Sequence, residues 1–367
     1  MKRIVISAAV AILAIEGLVA GQVKDVNQVL ADARAALGGD KITTVKTISA
    51  VGRTLRTSGE RTTENEFEMA MELPDKYLMR SVIAAMGNMS VYRNTGFNGG
   101  QVIEEIDRPP NLQGGNVIVR IAGPGGAAMD PAKMTPEQKA DADRMRLLSN
   151  KKEFTKLTLG MFASSLAAFP LEFTYAGQAE SGDGKADVIN VKGEGDFGVV
   201  LFLDEKTHMP LMVSWMDKEP IVMQMGGPGG AGGKAGVGGS GETRVFQQFG
   251  GGGGGVVGGA AGGGSTVTAA APTSHAGGDA KAGGGQNMSK EELDKMQKDL
   301  EERRKEAEAK RRTVEYRVYY SEYKAVGGVK LPFRIAKSID GKTTEEMVFD
   351  TIKLNPKLDA KKFEVSK

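Results

Sequence analysis

Apolar and polar residues alternate in several segments of the chain, which is the pattern of a half-buried β-strand. In ENEFEMAMEL, Phe67, Met69 and Met71 alternate with glutamate and alanine, so one face of the strand is apolar and the other is solvated. Short turns at residues 74–76, 87–88 and 98–100 connect this strand to the apolar segments that follow. Because these turns leave no room for crossover helices, the pattern predicts an antiparallel meander.

Two other segments carry the 3.6-residue period of a helix. The first, KDVNQVLADARAALGGD, ends at Gly38-Gly39, because glycine adopts the left-handed terminal conformation without a Cβ clash. The second begins at Thr135, where Pro136 and Gln138 complete a capping box, and a further apolar segment at 153–169 predicts a less periodic helix. The apolar face of the first helix contains Val26, Val29, Leu30, Ala33 and Leu37.

Strand patterns resume at residues 171–217 and again at 313–354, on either side of a Gly-rich insert. Between Gly226 and Gly285 lie 26 of the 51 glycines of the chain. Such a segment cannot bury a core, and we expect residues 226–287 to be disordered apart from a short strand at 243–249. A sheet tolerates the insert at a hairpin tip, because the cost of closing a loop grows only with the logarithm of its length.

Residues 288–312 predict a charged helix after the insert. Ser289 and Glu292 form a capping box, and oppositely charged pairs four residues apart, such as Glu301 and Lys305, stabilise the helix. The basic end of this segment suggests RNA binding as one reading, but its charge is balanced within the helix. We interpret the segment as a solvated helix.

The first twenty residues have the pattern of a secretory signal peptide. Lys2 and Arg3 form the basic region, residues 4–15 form the apolar region, and Ala20 offers a small residue for cleavage. A buried strand or an uncleaved anchor is the alternative, but the apolar run is shorter than the ~20 residues that an anchor needs. We therefore expect an exported, soluble periplasmic protein that does not span a membrane after cleavage.

Composition argues against most catalytic and nucleic-acid-binding classes. With 48 basic and 46 acidic residues, the net charge gives no reason to expect nucleic acid as a partner. The chain has no cysteine, and its two histidines, His208 and His275, lie in a predicted turn and in the insert, so zinc sites and Ser-His-Asp triads are poorly supplied. The segment GGPGGAGGKAG departs from a phosphate-binding loop at Pro228 and Ala235. We expect no enzyme, no cofactor and no metal.

Several segments resemble the outer-membrane lipoprotein-sorting (LolA/LolB-like) carriers and their periplasmic relatives. They are ALGGDKITTVKTISAVG, ELPDKYLMR, LFLDEKTHMPLMVSW and the C-terminal YYSEYKAVGGVKLPFRIAKSIDGKTTEEMVFDTIKLNPKLDAKKFEV. The resemblance implies a mainly β fold of the α+β kind, a curved antiparallel half-barrel sheet whose concave face is covered by helices. In that family an apolar cavity holds acyl chains, whereas the insert and the charged helix have no counterpart in the ordinary carriers.

The chain is accordingly divided into a signal peptide (1–20), a half-barrel (21–225), the insert (226–287), the charged helix (288–312) and C-terminal strands that complete the half-barrel (313–367).

The function expected from these observations is carriage rather than catalysis. Many of the 18 methionines lie in predicted strands, and methionine suits a surface that accepts variable apolar partners, although core packing explains any single one. We predict a monomeric periplasmic carrier of lipid or lipoprotein acyl chains. The alternative is an envelope sensor or scaffold that contacts other envelope proteins through its insert and charged helix. The candidate acyl-chain residues are Phe67, Met69, Met71, Met79, Met89, Met212 and Met216.

Overall fold

The structure is a computed structural model of the 367-residue chain. It describes residues 24–59, 61–86, 89–107, 120–121, 134–182, 184–225, 244–248, 255–256, 298, 302, 305–306 and 309–364. The predicted signal peptide, most of the Gly-rich insert and most of the charged helix lie outside these residues, so their predicted properties stay predictions.

Strands make up most of the described chain. The first five are β1 (Thr47–Ser58), β2 (Arg61–Glu72), β3 (Lys76–Met86), β4 (Met89–Asn98) and β5 (Gln101–Asp107). They are followed by β6 (Arg120–Ile121), β7 (Glu172–Ser181), β8 (Gly184–Lys192), β9 (Gly198–Asp204), β10 (Pro210–Lys218), β11 (Ile221–Met225), β12 (Arg244–Gln248) and β13 (Gly255–Val256). The last three are β14 (Thr313–Val326), β15 (Val329–Ile339) and β16 (Lys342–Leu354).

Twelve of these strands form one open antiparallel sheet, in the order β5-β4-β3-β2-β1-β16-β15-β14-β10-β9-β8-β7. The predicted meander is present as β2 to β5, and β1 extends it by pairing with β2. The C-terminal strands β14 to β16 lie in the middle of the sheet and join the meander to the β7–β10 group. The sheet is therefore complete only when the two ends of the chain have come together.

Two small pairs of strands lie outside this sheet. β11 pairs with β12, and β6 pairs with β13. The short strand expected at 243–249 is thus confirmed as β12. Its partner is β11, so the strand that ends at Met225 belongs to this small hairpin and not to the main sheet.

Two α-helices pack on the sheet, α1 (Val26–Leu37) and α2 (Pro136–Phe162). α1 ends at Gly38, whose φ of 145° is in the region that favours glycine, and its predicted face is buried. The capping box of Thr135 and Gln138 is present at the start of α2. α2 continues without interruption into the segment 153–169, which the sequence suggested as a separate helix, but it ends at Phe162, where Ala163 follows with a φ of 46°. The apolar residues from Phe154 to Phe162 are buried and need no periodicity.

The main apolar cluster lies between the helices and one face of the sheet, which we call the inner face. Alternate residues of β2, Phe67, Met69 and Met71, belong to this cluster together with Leu30 of α1 and Phe154 of α2. Smaller clusters form on the opposite, outer face, one of them from Ala186, Val188, Phe202 and Met212. The predicted fold class is confirmed: the protein is mainly β, an open antiparallel sheet with helices across one face in the half-barrel arrangement.

The two chain ends that flank the insert are clamped together beside the sheet. Lys218, at the end of β10, is the register partner of Thr313, at the start of β14. The N–H of Glu219 donates to the carbonyl of Arg312 at 2.8 Å, and Nε of Arg311 donates to the carbonyl of Glu219 at 2.5 Å. Arg312 also forms an ion pair with Glu219 at 3.3 Å. We call Lys218, Glu219, Arg311, Arg312 and Thr313 the neck.

Because the neck holds the two chain ends together, we expect the segment beyond it to be dispensable for folding. Replacement of residues 221–310 by a short Gly-Ser linker should shift the melting temperature by only a few degrees, because loop-closure entropy changes slowly with length. Thermal unfolding followed by circular dichroism measures the shift. A further deletion of Arg311 and Arg312 should lower the melting temperature more, since it removes the clamp. Loss of the cooperative transition in the first variant would contradict the prediction.

Candidate functional site

Helix α2 crosses the strands of the inner face from one side of the sheet toward the other. Its first half contacts β4 and β5, and its second half contacts β10 and β15. A helix of 27 residues is about 40 Å long, enough to pass over most of the strands. Near its middle, the side-chain amide of Asn150 donates to the carbonyl of Gly96 at 2.8 Å. Arg146 forms an ion pair with Glu104 of β5 at 3.3 Å.

The C-terminal half of α2 is buried on every side. All residues from Phe154 to Phe162 are buried, although a helix on a surface would bury only one stripe. At Gly160 the helix touches the ring of Tyr320, where an added Cβ would lie 2.3 Å from two ring atoms. The hydroxyl of Tyr320 donates to the carbonyl of Lys156, and that of Tyr323 donates to the carbonyl of Gly160. This half of α2 therefore occupies the interior of the half-barrel.

Aromatic rings hold the helix at the point where it enters this interior. The ring centroid of Phe154 lies 5.2 Å from that of Tyr77 and 5.3 Å from that of Phe97. Burial raises the pKa of Tyr77 and that of Tyr320 above the ordinary value. Both phenols are therefore neutral at physiological pH, and the hydroxyl of Tyr320 can donate to the helix carbonyl.

The structure does not bring all seven candidate acyl-chain residues together. Phe67, Met69 and Met71 are buried on the inner face, and Met79 packs against the same cluster while only partly buried. Met212 lies in the outer-face cluster, and Met216, four residues further along β10, is 63% exposed. Met89 begins β4, and its side chain lies outside the described residues.

Five alternating charges form a chain along one rim of the inner face, where β1 ends, β16 begins and β15 ends. The residues are, in order, Arg56 of β1, Glu345 of β16, Lys337 of β15, and Glu153 and Lys156 of α2. Successive N–O distances are 2.7, 3.1, 3.8 and 2.7 Å. The ammonium of Lys156 lies 3.8 Å from the ring centroid of Trp215, a cation–π contact. We call the five residues the rim charges.

The rim charges stabilise one another in their ionised states. Burial opposes ionisation of Glu345, but Lys337 and Arg56 outweigh it and lower the pKa of Glu345 to about 2. Glu345, followed by Glu153, raises the pKa of Lys337 against the effect of burial. Partial burial opposes ionisation of Glu153, yet Lys156 and Lys337 lower its pKa as well. These three groups are charged at neutral pH and attach α2 to the sheet electrostatically.

Sequence reasoning did not identify the rim charges or Trp215. Glu153 and Lys156 are three residues apart, which is the spacing of an ordinary surface pair on a helix. The available signal was the position of Lys156 within the run FTKLTLGMF, because a lysine in a fully buried helix segment needs a partner. Trp215, the one tryptophan of the chain, stacks on Tyr316 with ring centroids 5.4 Å apart.

In the part of the chain that the structure describes, no group of three or more His, Cys, Asp or Glu side chains is arranged to hold a metal ion. Likewise, none of the described helices combines the length and the apolar character needed to cross a membrane. His208 lies in the turn between β9 and β10 with a φ of 57°, and His275 lies outside the described residues.

Neither a protein family nor a curated protein matches the chain by sequence. Three solved structures are similar to it in overall arrangement. A DUF1329 family protein from Desulfovibrio piger is 7% identical, covers 92% of this chain and 97% of its own, and has a TM-score of 0.41. An outer membrane lipoprotein-sorting protein domain from Vibrio parahaemolyticus is 7% identical, with coverages of 91% and 94% and a TM-score of 0.36. A LolA superfamily protein from Nitrosomonas europaea is 8% identical, with coverages of 93% and 98% and a TM-score of 0.40.

Two of these descriptions carry the name of the family that segments of the sequence resemble.

Proposed function

We propose that this protein is an exported periplasmic carrier that binds the acyl chains of a lipid or lipoprotein on its inner face, without catalysis. The lining of the proposed site on the sheet consists of Phe67, Met69, Met71 and Met79, all of which pack into the main apolar cluster. Before cargo binds, the buried half of α2 occupies the site. Cargo then takes the place of this helix segment among the same apolar side chains.

The buried C-terminal half of α2 is the observation that carries this proposal. Phe154, Leu157 and Met161 of this helix are buried in the apolar interior of an open sheet. An acyl chain requires the same kind of apolar surroundings. Withdrawal of α2 breaks no pairing between the strands of the main sheet, because the hydrogen bonds at its buried end come from the side-chain hydroxyls of Tyr320 and Tyr323, which donate to helix carbonyls. The sheet can therefore persist while its inner face exchanges one apolar occupant for another.

A second candidate function rests on two other observations. Met69 and Met71 are as closely packed as ordinary core residues, and the neck presents the insert from a clamped base. Both features suit a permanently closed envelope sensor or scaffold whose insert contacts other envelope proteins. In that case α2 is a fixed part of the core.

Lipid binding by the full chain distinguishes the two functions. The protein is incubated with a fatty acid that carries a fluorophore on its chain, and lipids that co-purify from an envelope extract are identified by mass spectrometry. A carrier should show saturable binding of the fatty acid and should retain lipid during gel filtration. A protein that binds neither is not a carrier, and the scaffold function then stands.

A further inference from the structure

The rim charges lie on the boundary between the apolar inner face and the exposed end of the strands. On β15, Ile335 lies two residues inward from Lys337. On β16, Met347 lies two residues inward from Glu345. Both apolar residues are buried in the main cluster. Val213 has the same relation to Trp215 on β10. On each of three strands, a charged or aromatic residue at the rim thus lies next to a buried apolar residue on the same face. An amphipathic ligand with its chains on the inner face would place its polar group here.

Glu153 sits between two ammonium groups. Its carboxylate oxygens lie 2.7 Å from Nζ of Lys156 and 3.8 Å from Nζ of Lys337. The 3.8 Å contact is too long for a hydrogen bond, and the side chain of Glu153 is 51% exposed. The contact between Glu153 and Lys337 is therefore the longest of the four that link the rim charges, and Glu153 belongs to the helix that moves in the proposed function.

Departure of α2 leaves an anion position open on the sheet. Glu153 and Lys156 leave together, while Arg56, Glu345 and Lys337 stay on β1, β16 and β15. Lys337 then keeps one carboxylate partner, Glu345 at 3.1 Å, and an ammonium has three N–H donors to satisfy. The three remaining charges sum to one positive charge.

We infer that Lys337 and Arg56 form a subsite for the anionic phosphate of a lipid head group, and that Glu153 fills this position when no cargo is bound. The inference rests on the proposed function, because the acyl chains of the same molecule occupy the inner face. Lys337 donates to the phosphate with the N–H groups that Glu345 does not use. Glu345 holds Lys337 in place and keeps it charged. The carboxylate of Glu153 thus competes with cargo for one cation, which links head-group binding to the release of α2.

The test compares two lipids that differ only in the phosphate. Phosphatidic acid and diacylglycerol with identical fluorophore-labelled chains are titrated into the full chain. The wild type should bind phosphatidic acid about tenfold more tightly than diacylglycerol, since a charge-assisted hydrogen bond contributes about that factor. Lys337→Gln should remove this preference, so that the two lipids bind with equal affinity. Lys337→Arg should retain it, and Glu153→Gln should strengthen phosphatidic acid binding several-fold.

The matched control is Lys330→Gln, which makes the same change on the same strand at an exposed position. It should alter neither affinity. Diacylglycerol binding that is retained in Lys337→Gln shows in the same experiment that the variant is folded. Inorganic phosphate is titrated alone as a second arm. If it binds as tightly as phosphatidic acid and depends on Lys337, the subsite takes free phosphate and the head-group assignment is overturned.

The remaining outcomes separate the inference from the proposed function. If the wild type binds both lipids equally and Lys337→Gln changes neither affinity, the head-group subsite is overturned while the carrier function stands. If the wild type binds neither lipid, the carrier function fails and the inference fails with it.

Discussion

Oxidation of a Gly160→Cys/Tyr320→Cys variant is expected to abolish acyl-chain binding, whereas the reduced form of the same variant binds. The position of a Cβ on Gly160 lies 2.6 Å from the ring atom of Tyr320 next to its own Cβ, so the two cysteines fall within reach of a disulfide. The chain contains no other cysteine, so a single disulfide can form. It would fix the buried half of α2 to β14 and keep the inner face occupied. Binding of the fluorophore-labelled fatty acid before and after reduction measures the effect.

The control is a disulfide that does not involve α2. Thr57 of β1 and Thr62 of β2 are register partners with their hydroxyl oxygens 3.3 Å apart, so Thr57→Cys/Thr62→Cys should form a disulfide within one hairpin. Oxidation of this variant should leave fatty-acid binding unchanged. If the oxidised Gly160→Cys/Tyr320→Cys variant binds as well as its reduced form, α2 does not need to leave, and the acyl site must lie elsewhere.

Local patterns predicted the individual elements well. The alternation of Phe67, Met69 and Met71 gave β2, the 3.6-residue period gave α1, and the capping box of Thr135 gave the start of α2. Each of these signals depends on neighbours within a few residues, which is the range over which burial of one face and hydrogen bonding at a helix end act. Elements of this kind are determined almost independently of the rest of the fold.

The order of the strands has no comparable local signal. β1 pairs with β16 and β10 pairs with β14, contacts between segments that are far apart in the sequence. No turn composition or periodicity encodes such a partner. An insert at the tip of a hairpin implies that the last strand before residue 226 pairs with the first strand after the insert. The strand that pairs with β14 is β10, however, and β11 pairs with β12.

The candidate site was harder to predict because both faces of the sheet carry apolar residues. Met69 and Met212 each alternate with other residues in a clear strand, yet Met69 faces the helices and Met212 packs in a separate outer cluster. Alternation shows that two faces differ, but not which face receives a helix. The surroundings of Lys156 in α2 were equally hard to predict from the sequence, since its partners Glu153 and Trp215 come from two different elements.

Met69→Asp is expected to lower the free energy of unfolding by several kcal/mol, on the order of 4 kcal/mol, because it buries an unpaired carboxylate. As a candidate acyl-chain residue, Met69 would line an open site, where a charge spoils binding and the protein still folds. The side chain is only 1% exposed, however, and packs in the main cluster while α2 occupies the inner face. Chemical denaturation followed by circular dichroism measures the change. Met69→Leu should cost far less, since it conserves volume and polarity.

Met216→Asp is the matched control, the same substitution at a methionine that is 63% exposed on the outer face. It should change the free energy of unfolding by about 0.5 kcal/mol or less, apart from a small repulsion by its register partner Glu315. The difference in the free energy of unfolding between the two variants measures the effect of burial, because the chemical change is identical. If Met69→Asp is as stable as Met216→Asp, water reaches the inner face beside Met69 in the unloaded protein. The buried half of α2 then does not seal the site, and cargo can enter without displacing it.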